Sequence, residues 1–489
     1  MSARKNPIHN QTLAKFSNLS TWIGLGAVIL GLFAGVIAVA QPQLLVLCMG
    51  FILCLAVLVY AFSSIEKVVL GILILRTAID FYPGVPALAG MGLFLLTLTY
   101  VVVQLLTGKV IQTDRFWWFF AGWVLFQGIW VILIPLGGLG FSESIYFSGA
   151  IREWVRLFSW LMIYLLFMQL KDKIIAEKAI TLLIWSLAIP LFVSFIQLLI
   201  PDILPPLLKP AVGILEDSQR IKGTFVKSSA FTKYLLVFIG VVWWKVSLKR
   251  QQLRWMVLLS ILVFVLILTR SVTTLFMLVV FVAFMSASRL NIRTILGGIV
   301  VLLMVSNFFL FTEYGQVRLE ELLSTPLFNP DISFSRSILL QSTGGSTNSF
   351  HWRVTQWYGL LNEWQKSPWL GYGLDTTVHL SQYDNIAHND YVRALVETGI
   401  VGLASFITFI VVQFIRLFKL IINLPKGSEQ RRFCTVLLGL LIVSTLGMLT
   451  DNVWRSTVTY TYWWALFATA GWQWDKSPTE DSSTTRSIP

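Results

Sequence analysis

Apolar runs long enough to cross a bilayer recur along the whole chain, and they constrain its fold more than any other feature. A helix needs about 20 apolar residues to traverse a ~30 Å hydrocarbon core, where every backbone N–H and C=O must be paired within the segment. Such runs lie at roughly 21–40, 43–62, 66–80, 89–107, 116–136, 152–170, 179–200, 230–247, 254–270, 272–288, 294–312, 391–417, 433–450 and 457–474. The run at 66–80 is short, holds Arg76 and Asp80, and could be re-entrant. The pattern predicts an all-α polytopic membrane protein with about 12–14 transmembrane helices. Composition agrees: 56% of residues are hydrophobic and only 12% charged, against about 25% charged in a soluble domain. Too little charge remains to coat a water-facing surface, which excludes a soluble enzyme, a nucleic-acid binder and a disulfide scaffold.

The net charge of +13 is accounted for by basic cytoplasmic loops rather than by a polyanionic partner. The short segments 171–178, 248–254 and 424–432 are rich in Lys and Arg, which predicts an inside N-terminus. Trp-bearing clusters at 116–120, Trp243–Trp244 and Trp463–Trp464 fall at span ends, where indoles favour the interface. Cys48, Cys54 and Cys434 lack metal-ligand spacing and read as core hydrophobes. The polar N-terminus has no A-x-A-like cleavage signal, so the first span is expected to be retained.

The expected organisation is a cytoplasmic tail 1–20, a transmembrane domain 21–312, a large periplasmic loop 313–390, C-terminal spans 391–474 and a cytoplasmic tail 475–489. Within the first domain, 201–229 forms a second outer loop with Pro201, Pro205, Pro206 and Pro210. In the large loop, Phe350, Val354, Trp357, Leu361 and Trp364 repeat at helical spacing and predict an amphipathic helix over 350–365, lying at the interface or roofing a cavity.

The same side carries the residues suited to chemistry. His351, His379 and His388 lie in the large loop, and Arg152, Arg156, Arg220, Arg270, Arg318, Arg336 and Arg353 on the outer side. The loop 313–390 has four basic residues against eight acidic ones, a net −4, so an anion site there must be built from individually placed arginines. A helix starting near Asn389 would put His388, Tyr391, Leu395, Gly399 and Gly402 on one face, with the glycines admitting a neighbouring helix. Arg393 and Glu397, four apart, could pair.

His388-Asn389, nine residues, then Gly399-x-x-Gly402 resembles the H-N-x9-G-x-x-G signature of the O-antigen ligase/polymerase superfamily. Arg353…Trp357 followed by Ser-Pro-Trp-Leu-Gly-Tyr-Gly at 367–373 is similar to that family's R…W…P…G-x-G run. Arg220-x-x-Gly223-Thr224-Phe225 resembles its R-x-x-G-T-F element, and Thr269-Arg270-Ser271 its S-R-S-like step. The sequence departs from the pattern at Lys227-Ser228-Ser229, where a His-Pro-Asn-like run is common, and at Thr269 in place of Ser.

The resemblance implies a GT-C-like, metal-independent glycosyltransferase of the bacterial inner membrane, with its active site on the periplasmic face. It would move a glycan from an undecaprenyl-pyrophosphate carrier to a saccharide or lipid A-core acceptor, as ligase or polymerase, and would need no cofactor and no nucleic acid. It implies His388 as base, with Arg220 and Arg353 on the pyrophosphate. Arg270, Arg152, Arg156, Tyr391, Asp390 and Asn389 complete the expected substrate-binding set, Tyr391 and Asp390 by orienting His388. The residue types suit that chemistry: guanidinium groups can stabilise a diphosphate leaving group, and imidazole can take a hydroxyl proton near neutral pH. The bland alternatives are a capping role for His388, cation–π stacking of Arg353 on Trp357, and snorkelling of Arg152 and Arg156. The alternative function is a transporter or flippase of lipid-linked oligosaccharide, which would need charges spread along several spans.

Overall fold

Described in a computed structural model are residues 65–81, 85–136, 139, 144–212, 219–248, 252–287, 292–324 and 349–474. The expected spans 21–40 and 43–62, both tails, Arg336 and the stretch 325–348 lie outside them. The site described below lies within the compact unit Val69–Pro489.

The apolar runs fold as helices. In chain order they are α1 Ile65–Arg76, α2 Val85–Leu106, α3 Arg115–Leu133, α4 Ser144–Met168, α5 Ala176–Ile184, α6 Ala188–Leu199, α7 Ser228–Val246 and α8 Gln252–Leu268. These are followed by α9 Val272–Ala287, α10 Ile292–Phe311, α11 Glu313–Leu323, α12 Ser349–Trp364, α13 Thr377–Leu380, α14 Asp390–Asn423, α15 Glu429–Gly447 and α16 Thr457–Ala470. Among the described residues the only strands are the two-residue pair β1 Ala211–Val212 and β2 Gln219–Arg220. Arg115–Leu133, Ala176–Leu199, Ser228–Val246, Asp390–Asn423 and Glu429–Gly447 are long and apolar enough to cross a membrane, and shorter apolar helices accompany them. The chain is an all-α polytopic membrane protein.

Exposure follows lipid rather than water. On α14, Ile407, Val411, Ile415, Phe418 and Ile422 are exposed, while Phe406, Phe409, Ile410, Gln413 and Leu417 one step round the helix are buried. Both faces are apolar, as a helix seated between protein and hydrocarbon requires.

Two expectations change in detail and a third holds. The run 179–200 is broken by a 3-10 turn at Trp185–Leu187. Pro190 has no N–H to give to the Ser186 carbonyl, and Thr77 Oγ1 donates to that carbonyl instead at 2.8 Å. The indoles expected at the interface are partly core: Trp244 and Trp464 are fully buried, and Trp463 donates to Gln413 Oε1 at 3.1 Å. Trp123 stacks on Phe409 at 4.1 Å and Phe120 packs on Trp464 at 4.5 Å, so aromatic contacts join α3, α14 and α16. The helix expected over 350–365 forms as α12. It packs on α14, and thereby covers the segment that leads to His388.

Candidate active site

The site begins with a helix cap. Asn389 Oδ1 accepts from the backbone N–H groups of Tyr391 and Val392, both at 3.0 Å, and fixes Asp390 as the first residue of α14. Asn389, expected in the substrate-binding set, thus caps the start of a helix here. Replacing it with Ala is expected to cost about 1 kcal/mol of stability, readable as a lower Tm in detergent.

His388 sits just outside the cap with φ +46°, a left-handed conformation uncommon for a side-chain-bearing residue and concentrated at functional sites. Its side chain is 26% exposed, with Nδ1 3.6 Å from Asp451 Oδ1. That is an ion-pair distance which a small shift would close to a hydrogen bond. Trp352 of α12 meets the imidazole edge-on at 5.2 Å. The backbone leading to His388 is held from the same helix: Trp357 Nε1 donates to the Ala387 carbonyl, and Gln356 Nε2 to Asn385 O at 2.9 Å. Trp357 is thus spent on positioning 381–388.

Asp451 lies in the turn 448–456 between α15 and α16. Lys233 Nζ of α7 is 2.9 Å from its Oδ2 and also donates to Asn452 O at 3.0 Å. Burial would raise the Asp451 carboxyl, but Lys233 and His388 outweigh it and hold the group well below the usual carboxylate range. The turn is tied to the start of α14 by Asp390. Its N–H donates to Met448 O at 2.9 Å, and its Oδ2 accepts from Trp454 N at 2.7 Å.

The R-x-x-G-T-F element is held by hydrogen bonds between side chains and backbone. Gln197 Oε1 accepts from the N–H groups of Lys222 (3.0 Å) and Gly223 (2.9 Å), and its Nε2 donates to Gly223 O at 2.8 Å. Gly223 has φ +56°, Thr224 donates to Thr77 O, and Phe225 is fully buried. Arg220 Nε donates to Thr269 O at 3.0 Å. The same carbonyl accepts from Ser228 Oγ at 3.1 Å. Arg270 follows with φ +55°, its guanidinium 5.4 Å over the Tyr314 ring. Arg220 and Arg270 are therefore joined through Thr269 to the first residue of α7. Lys233, the partner of Asp451, lies about 7.5 Å further along that helix. Arg353 sits beside Trp352 on α12, partly buried.

Other expected residues do not join this group. Arg152 is exposed. Arg156 pairs with Glu153 on its own helix and lies 5.0 Å over Trp160. Tyr391 OH donates to Thr445 O at 3.0 Å, and Asp390 faces the 448–456 turn. Neither is hydrogen-bonded to His388, which precedes the Asn389 cap in a left-handed conformation and so does not continue the helical face expected for it. Arg393 is 3.8 Å from Glu397, but its closer partner is Glu153 at 2.9 Å. His379 packs edge-on to Tyr146 at 4.9 Å, and His351 is buried.

The glycine spacing has a different cause from the one expected. Gly399 (φ +65°, ψ −168°) breaks α14, and the segment 367–373 rather than a neighbouring helix fills the break. Tyr372 N donates to Val396 O at 3.2 Å, Gly373 N to Glu397 O at 2.7 Å, and Ile400 N to Pro368 O at 2.9 Å. A Cβ on Gly399 would overlap the Trp369 carbonyl, and one on Gly371 the Val396 carbonyl. The S-P-W-L-G-Y-G run and the H-N-x9-G run are thus two halves of one backbone joint.

Sequence reasoning missed Asp451, Lys233 and Trp352. One signal was available: Lys233 is a charge within an apolar run whose other charge, Lys245, lies near its far end, and such a charge in a membrane protein marks function or a buried partner. Residues 255–407 match the family model described as O-antigen ligase, which supports a place for the chain in the O-antigen ligase/polymerase superfamily. No curated protein matches it.

Proposed function

Proceeding from the O-antigen ligase match, we propose that this membrane protein is a metal-independent glycosyltransferase acting on a glycan linked through diphosphate to a polyprenyl lipid. The observation that carries the reading is the arrangement around His388: an imidazole in a left-handed turn with an ionised Asp451 behind Nδ1, at the end of α7 to which Arg220 and Arg270 are tied. Asp451 holds the proton on Nδ1, which leaves Nε2 free to accept the proton of an acceptor hydroxyl. As that hydroxyl oxygen bonds to the anomeric carbon, the bond from that carbon to the diphosphate breaks. Arg220, Arg353 and Arg270 take up the negative charge on the leaving group. The acceptor is a further saccharide or a lipid A core. The site lies on the periplasmic face of the inner membrane, at the end of the bundle opposite the basic segments 171–178 and 424–432.

Asp451→Asn is expected to lower kcat by about 10²-fold while leaving KM for the donor within a few-fold, because the amide removes the charge that fixes the tautomer but touches no substrate. Turnover by purified protein in liposomes, with a lipid diphosphate glycan and an acceptor, checks this. An unchanged kcat would remove Asp451 from the mechanism. Movement of the lipid across the bilayer without glycan transfer would favour the transporter reading.

A further inference from the structure

Trp352, which meets the His388 imidazole edge-on, has a second aromatic neighbour. The Tyr383 ring lies 5.5 Å from it between centroids and is tilted by 39°. Both residues are partly exposed. Among the described residues nothing bonds to the Trp352 indole N–H or to the Tyr383 hydroxyl, and neither is a buried unpaired group, so both are open to water. Nearby aromatics spend their polar ends on the fold instead: Trp357 on Ala387 O, Tyr372 OH on Glu363 O at 2.9 Å and Tyr391 OH on Thr445 O at 3.0 Å. Tyr383 is held in place through its backbone. Ser381 Oγ accepts from Gln356 Nε2 at 2.8 Å and from Tyr383 N at 3.3 Å, and Asp384 N donates to Ser381 O at 3.1 Å. Gln356 belongs to α12, the helix that carries Trp352. A tight turn pinned to that helix thus presents the phenol beside the indole and the imidazole.

We propose that Trp352 and Tyr383 form the subsite for the acceptor sugar, its ring against the two aromatic rings and one hydroxyl turned to His388 Nε2, an inference that rests on the transferase reading above. A pyranose has an apolar face of C–H groups and a rim of hydroxyls. Two tilted aromatic rings suit the face, and a free N–H and O–H at their edges suit the rim. The sugar held here is the acceptor's rather than the donor's, because the base touches the acceptor hydroxyl and Trp352 is the base's own neighbour, 5.2 Å away. Arg220 and Arg270, assigned to the donor's diphosphate, come from other elements, β2 and the turn between α8 and α9.

The test is steady-state transfer in phosphatidylcholine liposomes, with a polyprenyl-diphosphate-linked glycan as donor. The acceptor probe is the oligosaccharide released by mild acid from the native host's surface glycan. Tyr383→Ala is expected to raise KM for the oligosaccharide about tenfold, with kcat and the donor KM within about twofold of wild type. Tyr383→Phe loses only the hydroxyl and should raise that KM about threefold; it carries the test if the alanine variant fails to fold. Trp352→Ala should raise the same KM and also lower kcat, because the indole supports the imidazole. An unchanged acceptor KM in the Tyr383 variants would overturn the proposal, as would a rise confined to the donor KM. A fall in kcat alone would make the two rings mere supports for His388 and overturn it too. Saturation-transfer NMR with the oligosaccharide alone reads binding without turnover. The ring C–H protons of its terminal sugar should receive saturation from wild type and much less from Tyr383→Ala. Saturation equal in the two proteins, or absent from both, would overturn the subsite. Saturation that depends on Tyr383, without glycan transfer from any donor, would uphold the subsite and sink the transferase reading instead.

Discussion

His388→Ala is expected to reduce glycan transfer by about 10²–10⁴-fold, the usual contribution of a positioned general base, with the protein still inserted and folded. Folding should survive because the imidazole contributes little to packing: it is 26% exposed, 3.6 Å from Asp451 and in edge contact with Trp352. His388→Gly sharpens the test. At φ +46° a glycine relieves a conformation that costs a side-chain-bearing residue about 1–2 kcal/mol, so this variant should melt no lower than wild type while being equally inactive. A side chain kept at a backbone cost and quarter-exposed is the pattern expected where function, not stability, selects the residue. Turnover near wild type in either variant would remove the assigned base, whatever the family match implies.

The second large effect is on the fold. Gly399→Ala is expected to destabilise the protein by about 3 kcal/mol or more, because φ +65°, ψ −168° belongs to a region essentially restricted to glycine. The added Cβ would also overlap the Trp369 carbonyl. The segment 367–373 would have to leave the break in α14, losing its bonds from Tyr372 and Gly373. A lower Tm and new proteolytic cleavage within 365–373 would report this. Gly359→Ala is the control: that glycine lies inside α12 with open space where a Cβ would go. There alanine should be neutral or stabilising by up to about 1 kcal/mol. Equal behaviour of the two variants would mean that the glycine joint does not hold the site together.

Much of the fold is local in origin, and the sequence carries it openly. Apolar runs of bilayer length marked most of the described spans within about four residues, although α4 starts at Ser144, well before its run at 152, and α14 continues to Asn423, well past 417. Asn389 before an apolar periodic stretch marked the start of α14, and Trp357 and Leu361 at helical spacing marked α12. The motif residues were also legible, because His388, Arg220 and Gly399 stand at spacings that a resemblance can match. Their roles were less so. Gly399 looked like a surface for helix packing and is a backbone break. Arg156, expected with Arg152 in the substrate-binding set, is held by Glu153.

What the sequence by itself determined is that this chain crosses a membrane many times and keeps a histidine and several arginines at one end of its helices. Only the tertiary structure decided that Asp451 stands behind His388, that Lys233 keeps that carboxylate ionised, and that Arg220 and Ser228 share the Thr269 carbonyl. The physical reason lies in the solvent. A helix in water announces its inner face by amphipathic periodicity, whereas a helix in lipid is apolar all round and its sequence does not say which side meets a neighbour. Ion-pair partners on different spans depend on that choice of neighbours, so they emerge only when the helices are packed.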